Sequence, residues 1–152
     1  MRKFVIVKDG IARIMEAQDY VDPLDEIKKW HPDDQAKVTS VREISESDIP
    51  INRTVALRNA WEDNGTNITV NLVKARANKT DEIRPERNSR LAELDVEYIR
   101  ADEAGNTDKK QSISTVKQQL RDLPQTIQSD LNALDTPDAL EKFTPTWPTE
   151  GE

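Results

Sequence analysis

Residues 84–125 read RPERNSRLAELDVEYIRADEAGNTDKKQSISTVKQQLRDLPQ. Leu91, Leu94, Tyr98 and Ala101 recur at spacings of three and four, and so do Ile113, Val116, Leu120 and Leu123. Each series therefore lies on one face of an amphipathic helix. Gly105-Asn106 between them supplies the left-handed stop that ends a helix. Thr107 or Asp108 caps the second helix, and the Leu123-Pro124 step closes it. Two stripes of matching length across a short connection predict an antiparallel helical hairpin.

The first helix extends backwards from this stretch. Asn71 is a capping residue at the point where the hydrophobic period changes from two to 3.6, and Leu72, Val73, Ala75 and Ala77 follow it. Ile83 and Arg87 continue the stripe into Leu91. Pro85 interrupts the pattern because it lacks a backbone donor and crowds the carbonyl of Asp81, which predicts a kink or a break around Arg84. Arg84 is a poor cap, so a kink is the better expectation.

Upstream of Asn71 the chain reads as strands. Phe4 to Val7 and Ile11 to Met15 flank Asp9-Gly10, the signature of a tight hairpin turn. A lone hairpin is barely stable and must pack on more of this chain or on a partner. Asp22-Pro23 opens a short helix through Trp30 that His31-Pro32 ends, and Val38 to Ile44 is a candidate third strand. Residues 45–50, SESDIP, read as a polar linker. Thr54 to Trp61 and Thr66 to Val70 flank Asn64-Gly65 and predict a second hairpin, with Trp61 covered from across the strand.

Past the helical hairpin, Thr136-Pro137 is a cap followed by a first-position proline, so a short helix through Phe143 is expected. Thr144-Pro145-Thr146-Trp147-Pro148 is extended by the proline rule, with Trp147 as its natural anchor. The fold class is thus α+β: N-terminal β-hairpins, a long kinked helix, an antiparallel helical hairpin and an extended Pro-rich C-terminal segment. The expected regions are 1–44, the linker 45–50, 51–125 and 126–152.

Composition narrows the chemistry. The chain has 152 residues, 35% hydrophobic and 34% charged, with net charge −7 and no cysteine. A core built from so few apolar residues is lean. The acidic balance argues against a nucleic-acid partner, and the missing cysteines remove disulfides, thiolate metal sites and thiol nucleophiles. The apolar run Phe4 to Val7 is too short for a signal sequence, and no stretch has the length of a membrane span, so a cytosolic setting is expected.

Candidate active-site residues are few. His31 is the sole histidine, and with Pro32, Asp33 and Asp34 it reads as a surface turn rather than a catalytic or metal-binding group. Glu93, Asp95, Glu97, Asp102 and Glu103 read as a solvated helix face rather than a carboxylate pair in a cleft. Arg84, Arg87 and Arg90 recur every three residues; pairing with Asp81, Glu86 and Glu93 is favoured over a docking strip. Three tryptophans stand out: Trp61 as core, Trp147 as a contact residue, and Trp30 as one or the other. No enzyme, cofactor or metal is expected from these residues.

Asn52-Arg53-Thr54 with Arg58-Asn59-Ala60-Trp61, then Lys74-Ala75-Arg76, then Leu91 to Ala101, resemble a group of small tailed-phage proteins. The run Lys117 to Thr126 (KQQLRDLPQT) and the closing Trp147-Pro148 resemble the C-terminal part of phage tail assembly chaperones and tail-fibre assembly proteins. The resemblance covers residues 52–148 and, more loosely, the first hairpin. It implies a non-enzymatic phage tail protein, an assembly chaperone for a tail fibre or other tail component, with a permanent structural tail or fibre adaptor of the virion as the alternative. The implied partner is a phage tail fibre or other tail protein. Residence is in the host cytoplasm during assembly, or in the virion tail on the alternative. Leu120, Leu123, Pro124, Trp147 and Pro148 are the candidate partner-binding residues. Helix pairing within one chain or between chains is left open, so a homo-oligomer is allowed.

Overall fold

The computed structural model describes residues 1–149; the last three residues of the expected C-terminal segment 126–152 lie outside that range. The architecture is α+β. Strands β1 (Arg2–Lys8) and β2 (Ile11–Ala17) form the first hairpin, in register from Arg2 opposite Ala17 to Lys8 opposite Ile11. Asp9 and Gly10 both take positive φ, 54° and 71°, as a two-residue hairpin turn requires. Strand β3 (Val38–Glu43) pairs antiparallel with the other edge of β1, giving the order β2-β1-β3.

Phe4, Val5 and Ile6 are all buried, and successive strand residues point to opposite faces, so this small sheet is covered on both sides. On one side Val5 and Ala12 join Ile44, Ile49, Trp61 and Ile68 in a single apolar cluster. On the other, Phe4 shares a cleft with Tyr20, Val21 and Leu24, and Lys8 reaches Asp34 at 2.6 Å and lies over the Trp30 ring at 5.8 Å. The hairpin therefore packs on its own chain.

The segment between β2 and β3 holds two short helices rather than one. Helix α1 (Pro23–Ile27) is capped by Asp22, whose carboxylate accepts from the Leu24 amide at 2.9 Å. His31 ends the first helical stretch and caps α2 (Pro32–Ala36), its Nδ1 accepting from Asp33 N at 3.3 Å. Pro32, read in the sequence as a stop, is also a start, because proline suits a first helical position. Residues 45–50 are not a bare linker. Glu46–Asp48 form a 3₁₀ turn, and Ile49 is buried in the same cluster as Val5 and Trp61.

The second hairpin is shorter than the sequence predicts. Strands β4 (Trp61–Asp63) and β5 (Ile68–Val70) pair around the Asn64-Gly65 turn, but the expected strand residues Val55–Arg58 form a helical turn, α3. A strand would bury Val55 with Leu57. Instead Ala56, Leu57 and Ala60 are buried while Val55 is 60% exposed, which is a helical rather than an alternating pattern. Asn78 donates to the Ala56 carbonyl at 2.9 Å, satisfying an acceptor that so short a helix leaves free.

Helix α4 runs unbroken from Leu72 to Glu103. Asn71 caps it, accepting from Lys74 N at 3.0 Å. The break considered at Arg84 does not occur. Pro85 sits on an exposed face, so the carbonyl it leaves without a donor is solvated, and buried Ile83 and Ala101 hold the helix on both sides of it. Gly105, φ 65°, turns the chain, with Asn106 N donating to the Ala101 carbonyl at 2.9 Å. Asn106, rather than Thr107 or Asp108, caps α5 (Thr107–Thr126) by accepting from Lys109 N.

The expected stripe Ile113, Val116, Leu120 and Leu123 is buried throughout. Asp95 pairs with Lys117 at 2.5 Å and Asp102 with Lys110 across the hairpin, and both lysines lie over the Tyr98 ring. Pro124 does not close α5; it lies inside the last turn, and Ile127 carries the chain on into α6 (Gln128–Ala133). Helix α7 (Pro137–Lys142) follows, capped by Thr136 as its sequence predicts. Leu57, Ala60, Ala75, Ile83, Leu123, Ile127, Leu131 and Leu140 form the main core, and Val70 touches both this cluster and the one under the sheet.

Two outcomes follow for stability. Leu131→Ala, at a fully buried position, is expected to cost about 2–5 kcal/mol in urea unfolding, while Val73→Ala, 73% exposed, stays within about 0.5 kcal/mol. The second concerns acid. The Arg42 guanidinium, donating from Nε to both Asp63 carboxylate oxygens at 3.1 Å, ties β3 to β4 and holds the Asp63 carboxyl below the usual carboxylate range, aided by the Gly65 amide. A depressed folded pKa contributes stability that is present above the unfolded value and is lost as pH falls through the folded one. Thermal melts taken from about pH 5 down to about pH 3 should thus fall less steeply for Asp63→Asn than for the wild type.

Candidate functional site

The C-terminal segment lies against the base of the helical hairpin. Residues 143–149 carry no regular structure, as Pro145 and Pro148 dictate by lacking backbone donors. They are held through their side chains. Phe143 and Trp147 are half-buried and pack on the main core cluster. Trp147 and Pro148, with Leu123, Gln119, Asp122 and Thr126 from α5, border a surface cleft of about 340 Å³. A narrower recess of about 190 Å³ lies where Phe143, Pro145 and Thr146 meet Ile127 and Asp130.

The Trp147 ring carries a cation. The Arg90 guanidinium lies over it at 4.5 Å from the centroid, while Arg90 also pairs with Glu86 at 2.9 Å. A guanidinium stacks well on an indole face, and partial desolvation strengthens the attraction. The rest of the basic row divides as expected only in part. Arg84 pairs with Asp81 at 2.5 Å, whereas Arg87 donates to Asn88. That Arg90 meets a tryptophan 57 positions later has no local signal in the sequence.

Of the five candidate contact residues, the fold gathers Leu123, Trp147 and Pro148 at this cleft. Leu120 and Leu123 are 1% and 5% exposed, so their side chains pack inside the chain and offer a partner almost nothing. Pro124 is half-buried in the last turn of α5 and does not border the cleft. The accessible surface of the site belongs to Trp147, Pro148 and the polar rim of Gln119, Asp122, Thr126 and Thr146.

Other residues singled out in the sequence have structural places. Asn52, buried, donates to Glu141 Oε2 at 2.7 Å, and the Thr54 amide donates to Oε1 of the same carboxylate at 3.4 Å. Arg76 donates to the Leu131 and Leu134 carbonyls at 3.0 and 2.7 Å, satisfying free acceptors where α6 ends. Lys74 pairs with Glu62 at 2.6 Å, and Ala75 and Ala60 are completely buried. The Asn-Arg-Thr, Arg-Asn-Ala-Trp and Lys-Ala-Arg pieces therefore clamp α3, α4 and the C-terminal helices together.

His31 is an exposed cap beside Asp33. Among the described residues no group of three histidine, aspartate or glutamate side chains is placed to hold a metal ion, and no helix is long and apolar enough to cross a membrane. Trp61 is buried, with its indole N–H lacking an acceptor among the described residues.

No protein-family model, no curated protein and no solved structure matches this chain.

Trp147→Ala removes both the apolar seat and the partner of Arg90. It is expected to lower stability by about 1–3 kcal/mol in thermal or urea unfolding and to make the chain after Phe143 cleavable under limited proteolysis at protease levels that leave the wild type intact. An unchanged cleavage pattern would mean that the segment is held by something other than this ring.

Proposed function

We propose that this chain is a non-enzymatic bacteriophage tail protein that acts as an assembly chaperone for a tail fibre or another tail component. The observation that carries the reading is the meeting of two resembling sequence pieces. Lys117 to Thr126 and Trp147-Pro148, each similar to the C-terminal part of phage tail chaperones and fibre-assembly proteins, border one surface cleft. An aromatic ring and a proline beside a polar rim suit the capture of an extended peptide or a strand edge, since they give apolar contact at little conformational cost.

In this role the Trp147-Pro148 ledge covers exposed strand edges or apolar surface on the fibre protein until the fibre trimerises or docks. Binding the unassembled client lowers the concentration of its aggregation-prone form. The work belongs to the host cytoplasm during assembly and calls for no cofactor, nucleic acid or membrane. Leu123 supports the ledge from beneath.

A second reading, a permanent tail or fibre adaptor, is favoured by one feature. The Trp147 segment is already seated on its own hairpin, as suits a part that needs no rearrangement on joining a particle. Mass spectrometry of purified virions separates the two, because a departing chaperone is absent at stoichiometric level.

Co-expression with a tail-fibre protein from the same genome should raise the soluble, correctly oligomeric fraction of the fibre severalfold, and Pro148→Ala combined with Gln119→Ala should reduce that gain while leaving this chain folded. Unaltered fibre solubility and oligomer state would sink the chaperone reading.

A further inference from the structure

The outer face of α4 is unusual for a helix whose inner face is already satisfied by α5. Ala92 is exposed there, and Val96 and Ile99 are 48% and 57% exposed. At about 100° per residue this stripe lies roughly 150° around the helix from Leu91, Leu94, Tyr98 and Ala101, which face α5. It follows the alternating four-and-three spacing of a helix-pairing seam. One flank of the stripe holds Asp95 and Asp102, both paired to α5 lysines. The other flank holds Glu93 and Arg100, neither side chain of which has a hydrogen-bond or ion-pair partner among the described residues. These two opposite charges stand seven residues apart, about 10 Å along the axis and too far to meet each other within one chain.

We propose that this face is the docking surface for a second copy of the same chain, with the two α4 helices antiparallel about a two-fold axis at Val96. That axis sets Val96 against Val96 of the second copy and the small Ala92 within about 1.5 Å of the level of the large Ile99, in both directions. It also brings each Glu93 within one residue's rise, about 1.5 Å, of the level of the other copy's Arg100 on the same flank, so two symmetric ion pairs line one side of the apolar stripe. Exposed Ser89 comes level with exposed Glu103 one turn further out. The observation is thus a register in which size and the Glu93 and Arg100 charges match, while each Asp95, which faces its own copy near the axis, is neutralised by Lys117. It concerns a face distant in sequence from the Trp147 cleft and does not rest on the chaperone reading.

A contact of one helix face on another is smaller than the roughly 1,200–2,000 Å² of stable complexes, so the pairing is reversible and concentration-dependent. Sedimentation equilibrium of the full chain should show the average mass rising from 17.3 kDa towards twice that value between about 10 µM and about 1 mM. Val96→Lys, at an exposed position that leaves the fold intact, should weaken association at least about tenfold. Glu93→Arg or Arg100→Glu alone should weaken it severalfold, and the two together should restore it, because the exchange preserves both pairs. The chain has no cysteine, so Val96→Cys should cross-link on oxidation, while Ala92→Cys, about 12 Å from its own copy along the axis, should not. Monomer at every concentration, association indifferent to Val96→Lys, or a double exchange no tighter than either single reversal would each overturn the proposal.

Discussion

Burial of the inner face of α4 is the constraint on which the C-terminal two-thirds of the molecule rests. Ala75 and Ile83 at one end meet α3, α6 and α7, and Leu91 to Ala101 at the other meet α5. One helix of 32 residues thus serves two packing partners in succession, with Pro85 between them. The proline is tolerated because it lies on the solvated side. Moved half a turn inwards, it would leave a carbonyl unsatisfied inside the seam.

A chain with so few apolar residues cannot close these contacts by hydrophobic burial alone. Much of the closure is polar and directional: Arg76 on two carbonyls beyond α6, Asn78 on α3, and Glu141 on Asn52 and Thr54. Such bonds add modest net stability each, but leaving one buried group unmet costs more than forming it gains. They fix the relative placement of short helices whose apolar faces are too small to do so. The Trp147 segment is held in the same economical way, by one ring between the core and Arg90.

Features written into local spacing or turn chemistry were legible in the sequence. The Ile113–Leu123 stripe, the Asn71 and Thr136 caps, the Asp9-Gly10 and Asn64-Gly65 turns and the Gly105 stop all rest on contacts within a few residues. Features decided by distant contacts were not. Val55 to Arg58 has strand-like composition, yet the buried seat for Ala56 and Leu57 and the Asn78 amide select a helix. Pro124 looked like a terminator, but the last turn of α5 can lose one donor and continue through Ile127. At the candidate site, Leu123 and Trp147 were readable as important residues. That Leu120 and Leu123 face inwards, and that Arg90 reaches Trp147, depends on how the chain returns to its own hairpin.

The Glu141 carboxylate spans 87 and 89 residues to reach Thr54 and Asn52, and this separation has a consequence for the order of folding. Local elements such as the first β-hairpin and the α4–α5 pair gain their contacts at small sequence separation, so they form while synthesis is still under way. The clasp on α3 has no second half until α7 has left the ribosome. Until then Ala56 and Leu57 lack part of their cover, and the apolar surface around Ala75 stays open. The segment from α7 onwards therefore acts as a latch on elements that precede it, and a chain truncated before Glu141 would keep its hairpins but lack the bond that locks α3 in place.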